Sequence, residues 1–485
     1  MRKVKYIVFV FLAGIISCKK SDLELVPYNQ IETPVLLELK TENDVNIAVN
    51  GMYAGLKTSA SYFVNGTWNI MADVLADNLI TNQSGPGRGT LRSFANWQYT
   101  GENTYGLFAG GYTIIRRANA ILENIDKFPA GAFKDNAKGE ALAIRAMTYF
   151  DMVRVFSKTY LNATATDSTM PYITTTARDN MPAKEPVHGF YDKVIADLEL
   201  AKTLVGTTNG LYRVNKLSVS ALLSRVYLYK GDWAKCIQAS NDALGTTPSL
   251  PDRASFASIW RDADASSTTI PSLGVFFKVR NTNLDNVNSQ GVNYYQTVQG
   301  FRKSEFLVEY NFKQLFVASD IRTSTYIATS PFNGANANHV IKYAGRTGSP
   351  AGVVDGKVIR TAEVLLNRAE AYYRSTDETN ALADLVLLKS NRYTGYVPET
   401  LTGLPLLNEI VKQRRLELAF EGDRFWDLKR RNQPVVRDGT KGDLADGTGY
   451  PYIFTSLPAG DYKFQLPFPQ EEINFNTKLT QNPNY

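Results

Sequence analysis

The chain has 485 residues, with 53 Lys and Arg against 47 Asp and Glu, a formal charge of +6 and 44% hydrophobic residues; these fractions are globular and exclude a disordered or fibrous protein. Two cysteines exclude a disulfide framework or a cysteine-rich zinc site, and two histidines, His188 and His339, leave little material for a multi-histidine metal site or a Ser-His-Asp triad. The small charge is spread along the chain and gives no basic patch for nucleic acid, while the length allows two or three domain-sized units or one repeat-built body.

Residues 1–17 read as a processing segment. Arg2, Lys3 and Lys5 form a basic start, and the apolar run Tyr6–Ile16 is 11 residues long, too short for a bilayer that needs roughly 20. Ile15-Ile16-Ser17-Cys18 resembles the bacterial lipoprotein cleavage box, although Ile16 replaces the usual small residue. Cys18 is therefore the predicted lipidation site, leaving a mature chain of 468 residues (485 minus 17). Residues 18–40 form the lipidated N-terminus and tether, with Lys19 to Glu24 as a charged stretch. No later stretch is apolar enough for a transmembrane helix, and Cys236 is expected to pack as a small apolar residue.

Further along, apolar residues recur every three or four positions. Helices are predicted over Thr41–Leu56, Tyr105–Ile125, Gly139–Phe156 and Val187–Leu204. Ser218–Tyr229, Gly231-Asp232 and Trp233–Leu244 make a helical pair closed by Pro248. The small and large residues Ala221, Leu223, Tyr227, Gly231, Trp233, Cys236 and Ala243 stand near tetratricopeptide spacing. Thr361–Arg374 and Asn380–Arg392 repeat the arrangement. Such pairs must stack to bury their faces. The predicted fold is mainly α: a tetratricopeptide-like helical-hairpin scaffold with long irregular loops and a few short strands, such as Val275–Val279 and His339–Tyr343. Loops are expected at Asn65–Asn103, Ser157–Glu185 and Asp438–Gly449, and long loops on a rigid frame usually carry function.

Two constellations invite a chemical reading. Glu417 and Glu421 are one turn apart, a spacing open to glycoside hydrolysis. The neighbouring Arg414, Arg415, Arg424 and Arg430 favour ion pairs among charges three and four apart on one helix instead. Glu140, Arg145, Glu363, Arg368 and Glu370 read as charged edges of packed helices. In the first loop, Trp68, Asp77, Asn78, Arg88, Arg92, Asn96, Trp97 and Tyr99 combine flat aromatic faces with planar polar forks, the two ingredients of a sugar site. Tyr294, Tyr295 and Arg302 form a second such group. Neither a metal nor a cofactor is expected.

Four long motifs resemble the SusD/RagB family of Bacteroidetes outer-membrane lipoproteins. Gly139–Phe150 is similar to its E-A-x-x-x-R-A-x-x-Y-F helix, and Ile359–Tyr372 to R-x-A-E-x-x-L-x-x-A-E-A. Arg414–Leu428 is similar to R-R-x-E-L-x-x-E-G-x-R-x-x-D-L. Leu466–Ile473 with Gln481–Tyr485 resembles the closing P-x-P-x-x-E-I and Q-N-P-x-Y. Phe108, where many members have Trp, and Asn484, where Gly is common, depart from the pattern. The resemblance implies an N-terminal region over 41–270, with helical repeats and ligand-binding loops, packed with a C-terminal region over 271–485 as one globular unit. It also implies a non-catalytic surface lipoprotein that captures an oligosaccharide or polysaccharide and delivers it to a SusC-like TonB-dependent outer-membrane transporter. Peptide or other nutrient uptake by the same route, and a glycosidase using Glu417 and Glu421, are the alternatives.

Overall fold

The computed structural model describes residues 38–485 apart from 58–65, 86–88, 90, 105, 178–180, 264–269, 287–288, 299–300, 333 and 351. The expected signal peptide and Cys18 lie outside the described residues, as does Arg88. Helix α1 (Glu42–Gly55) starts at a capping box. The Thr41 hydroxyl accepts from the Asp44 N–H at 3.1 Å while the Asp44 carboxylate accepts from the Thr41 N–H at 2.8 Å. Helix α2 (Thr67–Leu75) is short and buried along almost its whole length.

Five helices then pack each on the next: α3 (Leu107–Ile125), α4 (Ala132–Phe156), α5 (Val187–Leu204), α6 (Lys216–Lys230) and α7 (Trp233–Leu244). The chain leaves the stack and returns through an antiparallel pair, Val275–Val279 with Gly356–Arg360. The second strand runs directly into α8 (Thr361–Arg374), which packs on α7 and then on α9 (Glu378–Ser390). The helical-hairpin stack therefore continues across the excursion as though uninterrupted. The two repeat pairs read from the sequence are its consecutive members, α6 with α7 and α8 with α9. Turn chemistry sets the first: Asn215 and Ser218 cap α6, Gly231 at φ +76° ends it, and the Asp232 side chain caps α7. The apolar side chains of α8, α9 and α10 (Gly403–Glu417) make a core cluster around Leu365, Leu385 and Ile410. The main cluster extends from Leu39 to Leu479. Cys236 is buried in it, its thiol pushed up to about 12 by burial.

Charged residues couple neighbouring helices in the stack. Arg145 of α4 forks onto Asp197 of α5 at 2.7 and 2.9 Å. Arg225 of α6 forks onto Glu363 of α8 at 2.5 and 2.7 Å, and Arg368 of α8 onto Asp384 of α9 at 2.8 and 2.7 Å. Glu140 is fully buried and accepts from Tyr53 and Arg213, each at 2.7 Å. These side chains are interior fasteners rather than helix edges.

Three sequence expectations change. Helix α4 begins at Ala132, seven residues before the predicted start, because its first turns carry no apolar stripe. Gly139 lies inside it, where a Cβ would come within 2.8 Å of the Val205 backbone nitrogen. The strand expected at His339–Tyr343 lies instead at Ala335–Val340; it holds His339, with Nδ1 2.8 Å from the Ser304 hydroxyl, and burial pushes the His339 pKa down to about 4. The third change concerns Glu417 and Glu421, which do not share a helix. Helix α10 ends at Glu417, the chain turns through Phe420 and Gly422 at φ +67° and +82°, and α11 (Arg424–Arg430) follows.

Their partners consequently come from distant elements. Glu417 accepts from Arg392 at 2.9 and 3.1 Å, from Arg360 at 3.1 Å and from Arg322 at 3.3 Å, with all four side chains buried. Glu421 accepts from Arg360 at 2.5 Å and Lys342 at 2.6 Å. Burial alone would raise the Glu417 pKa, but the facing Arg392, Arg360 and Arg322 hold its carboxyl well below the usual carboxylate range. Replacing this carboxylate leaves Arg392 with backbone carbonyls and takes one of two carboxylates from Arg360 and from Arg322, so Glu417→Gln is expected to cost about 3–5 kcal/mol of stability at pH 7 in chemical denaturation. A depressed folded-state pKa contributes stability above the ordinary glutamate value and loses it as pH falls through the folded value. The gap between wild type and variant is therefore expected to narrow below about pH 4.

Candidate functional site

Backbone pairing brings the two loop groups together. Leu79–Thr81 pairs antiparallel with Phe306–Val308. Asn82 extends the contact, its N–H donating to Glu305 O at 2.9 Å and its side-chain amide to Ser304 O at 2.7 Å. Ser304 and Glu305 directly follow the hairpin Gln296–Val298/Phe301–Lys303, so Asn82 lies at its foot. A third segment, residues 437–455, lies across Leu79–Ser84. The Asp443 carboxylate accepts from the N–H groups of Gln83, Ser84 and Tyr450 at 2.7, 2.8 and 2.9 Å, and from the Ser84 hydroxyl at 2.6 Å. Tyr452 donates its hydroxyl to Leu79 O at 2.8 Å.

Within this assembly six of the sequence-predicted contact residues face inward. Trp97 is 3% exposed; its indole N–H donates to Leu75 O at 2.9 Å and its ring lies 4.1 Å from the Arg437 guanidinium. Arg437 in turn donates to the carbonyls of Ala76, Ala95, Phe454, Val74 and Leu75 and lies 4.7 Å from the Tyr452 ring. Asp77 takes a two-pronged fork from Arg424 at 2.7 and 2.9 Å, and Asn78 accepts from Arg415 at 2.8 Å while donating to Asp73 at 2.7 Å. Tyr99 donates to Lys463 O and packs on Phe94 and Tyr485. Trp68 is buried in α2, and Tyr294 is stacked on Tyr343 with Phe420 alongside. As direct ligand contacts these six are corrected: their faces and forks are occupied by protein, because an amphipathic side chain in a loop satisfies the core as readily as a ligand.

Four residues remain at or near the surface: Arg92, Asn96, Tyr295 and Arg302. Arg92 and Asn96 share a crevice with Gln83, Pro451, Tyr452 and Ile453. The Arg302 guanidinium lies 5.4 Å from the Tyr295 ring centre. Sequence reasoning missed their apolar company: Phe301, Tyr450, Ile453 and Phe454 are 50, 56, 70 and 39% exposed. The available signal was position. Phe301 precedes Arg302, and Tyr450 follows the Gly/Asp-rich loop 438–449. The three segments thus carry exposed apolar side chains near guanidinium and amide groups, Ile453 in the crevice with Arg92 and Asn96 and Phe301 next to Arg302 in the chain, while Asp443, Arg437 and Trp97 tie the first and third segments together. This arrangement can stack on apolar faces and hydrogen-bond adjacent hydroxyls without bond-making chemistry. Among the described residues no group of three or more His, Cys, Asp and Glu is placed to hold a metal ion, and no helix is long and apolar enough to cross a membrane.

The sequence matches the SusD family over residues 264–485, and the family described as starch-binding and associating with the outer membrane over residues 23–228. SusD-like protein P2 of Formosa agariphila is 26% identical over the full length of both chains. Among solved structures, a SusD-like carbohydrate binding protein from Bacteroides vulgatus is 21% identical, has a TM-score of 0.77 and is matched over 91% of this chain and 98% of that one. Surface glycan-binding protein A from Bacteroides thetaiotaomicron, solved with laminarihexaose, is 20% identical with a TM-score of 0.70, covering 92% of this chain and all of that one. Two matches that divide the sequence between them and a helical-hairpin stack common to these structures lead to one conclusion: the chain belongs to the SusD family.

Proposed function

We propose that the protein is a cell-surface lipoprotein that captures an oligosaccharide or polysaccharide and delivers it to a SusC-like TonB-dependent transporter, without cleaving it. The observation that carries this reading is the exposure of the Phe301 and Tyr450 rings on the segments that also carry the Tyr295–Arg302 pair and part of the Arg92–Asn96 crevice. Rings of this kind cover the C–H faces of sugars, and planar polar groups fork onto their hydroxyls. The starch-binding description of the matched family and the laminarihexaose bound by a protein of the same fold support the ligand class. The Cys18 box supports the anchor, since acyl chains contribute about 0.8 kcal/mol per buried CH₂. Glu417 and Glu421, the sequence's nearest approach to a hydrolytic pair, are committed to arginine and lysine partners, which supports binding without turnover.

A glycan array with the purified protein identifies the ligand, and calorimetry with the strongest glycan then tests the face. Phe301→Ala and Tyr450→Ala are each expected to weaken binding by about 1–2 kcal/mol, roughly 5- to 30-fold, with melting temperature unchanged. Trp97→Ala is expected to behave oppositely, costing about 3–5 kcal/mol of stability as a large core truncation. Unaltered affinity in both rim variants would remove this face from ligand capture. Cys18→Ala is expected to move the protein from the membrane to the soluble fraction; retention in the membrane pellet contradicts lipid anchoring.

A further inference from the structure

Away from the loop face, helix α3 forms one wall of a second chamber of about 450 Å³, within the range of small-molecule sites. The opposite wall comes from residues 171–177, from Met181 and Pro182, and from the C-terminal residues 472–479. Its surface is largely apolar, with Phe108, Ile115, Ile173, Met181, Phe475 and Leu479 lining it. Met181 and Phe475 are 39 and 66% exposed, so the chamber opens to solvent.

The polar groups in the walls are almost all engaged in holding them together. Tyr112 donates its hydroxyl to Pro171 O at 2.7 Å. The Asn119 amide donates to Ile173 O and Thr175 O at 3.0 and 3.3 Å, while its oxygen accepts from Arg145 at 2.9 Å. Glu123 accepts from the Thr176 N–H and hydroxyl at 2.8 and 2.6 Å, and Asn476 donates to Pro182 O at 2.9 Å. Two lining side chains are exceptions. The half-buried Arg116 guanidinium and the half-buried Glu472 carboxylate have no hydrogen-bond or ionic partner among the described residues, including each other. Burial, and then the adjacent charge of Glu471, raise the Glu472 pKa, a strain that an approaching cation relieves.

An apolar chamber whose described lining offers one unpaired cation and one unpaired anion is complementary to a ligand bearing both charges on an apolar body. We propose that this chamber is a second ligand site, separate from the glycan face, that takes short apolar peptides with free ends, the terminal carboxylate on Arg116 and the terminal ammonium on Glu472. A planar guanidinium offers a carboxylate two parallel N–H bonds, and the apolar walls take the side chains. A neutral oligosaccharide uses neither charge and leaves the aliphatic walls facing hydroxyls, so the chamber selects against the ligand proposed for the loop face.

The test is calorimetry of the whole protein at pH 7 with the dipeptide Phe-Leu, its C-terminal amide and its N-acetyl form. Phe-Leu is expected to bind, and each cap to weaken binding at least tenfold. In Arg116→Gln, amidation is expected to lose its effect while acetylation keeps it; in Glu472→Gln the pattern reverses. Melting curves establish that both variants are folded, and array-selected glycan binding is expected to be unchanged in both. Absence of Phe-Leu binding at millimolar concentration, equal binding of the capped forms, or cap penalties that persist in the matching variant would each overturn the proposal. None of these outcomes bears on the glycan face, whose own variants lie on other segments.

Discussion

The structure depends on charge taken out of water and paired along one short stretch, residues 414–431. Arg414 faces Asp423 and Asp427; Arg415 and Arg424 converge on Asp77; Glu417 is held by three arginines; Arg430 reaches Glu370. Desolvating this many ions is unfavourable by several kcal/mol each and is offset only when every lone pair and N–H finds a partner in good geometry. The consequence is spatial. Glu370 lies in α8 of the helical stack, Asp77 at the entry to the first loop, and Arg360 at the end of the returning strand. One segment therefore fixes the stack, the loop face and the strand excursion relative to one another. A loss at any of these pairs leaves a buried charge alone, so an error in assembly is penalised more heavily than misplaced apolar contacts would be.

That dependence explains what was legible in the sequence and what was not. The helices were legible because their signals are local: the apolar stripes of α1, α3 and α5, and the small-large alternation of the α6–α7 and α8–α9 pairs. The start of α4 was not, because Ala132–Lys138 is helical without a buried stripe. Ion-pair assignments among charges three and four apart went astray where the helix they assumed ends at Glu417. Arg322, Arg360 and Arg392 then approach from other elements, and no spacing rule reaches across 25 to 95 positions. The loop face was legible as composition and as a pair of segments, but not residue by residue. Trp97 and Tyr450 are both loop aromatics; Arg437, 340 positions beyond Trp97, holds the first inside, and Asp443 presents the second at the rim.

Burying Trp97 and exposing Tyr450 are two parts of one arrangement. An exposed ring serves recognition only if its backbone is held, since ordering a mobile loop during binding would consume the free energy that stacking supplies. Here the holding is done below the surface. Arg437 gathers five carbonyls and lies against both the Trp97 and Tyr452 rings, while Asp443 satisfies three backbone N–H groups from two segments. The floor is thereby rigid, and the rim residues above it make few bonds to the protein. Rim side chains can change without disturbing the floor, so ligand preference can vary between proteins that share this stack. Conversely, a floor residue such as Trp97 acts on binding only through the geometry it imposes on the rim.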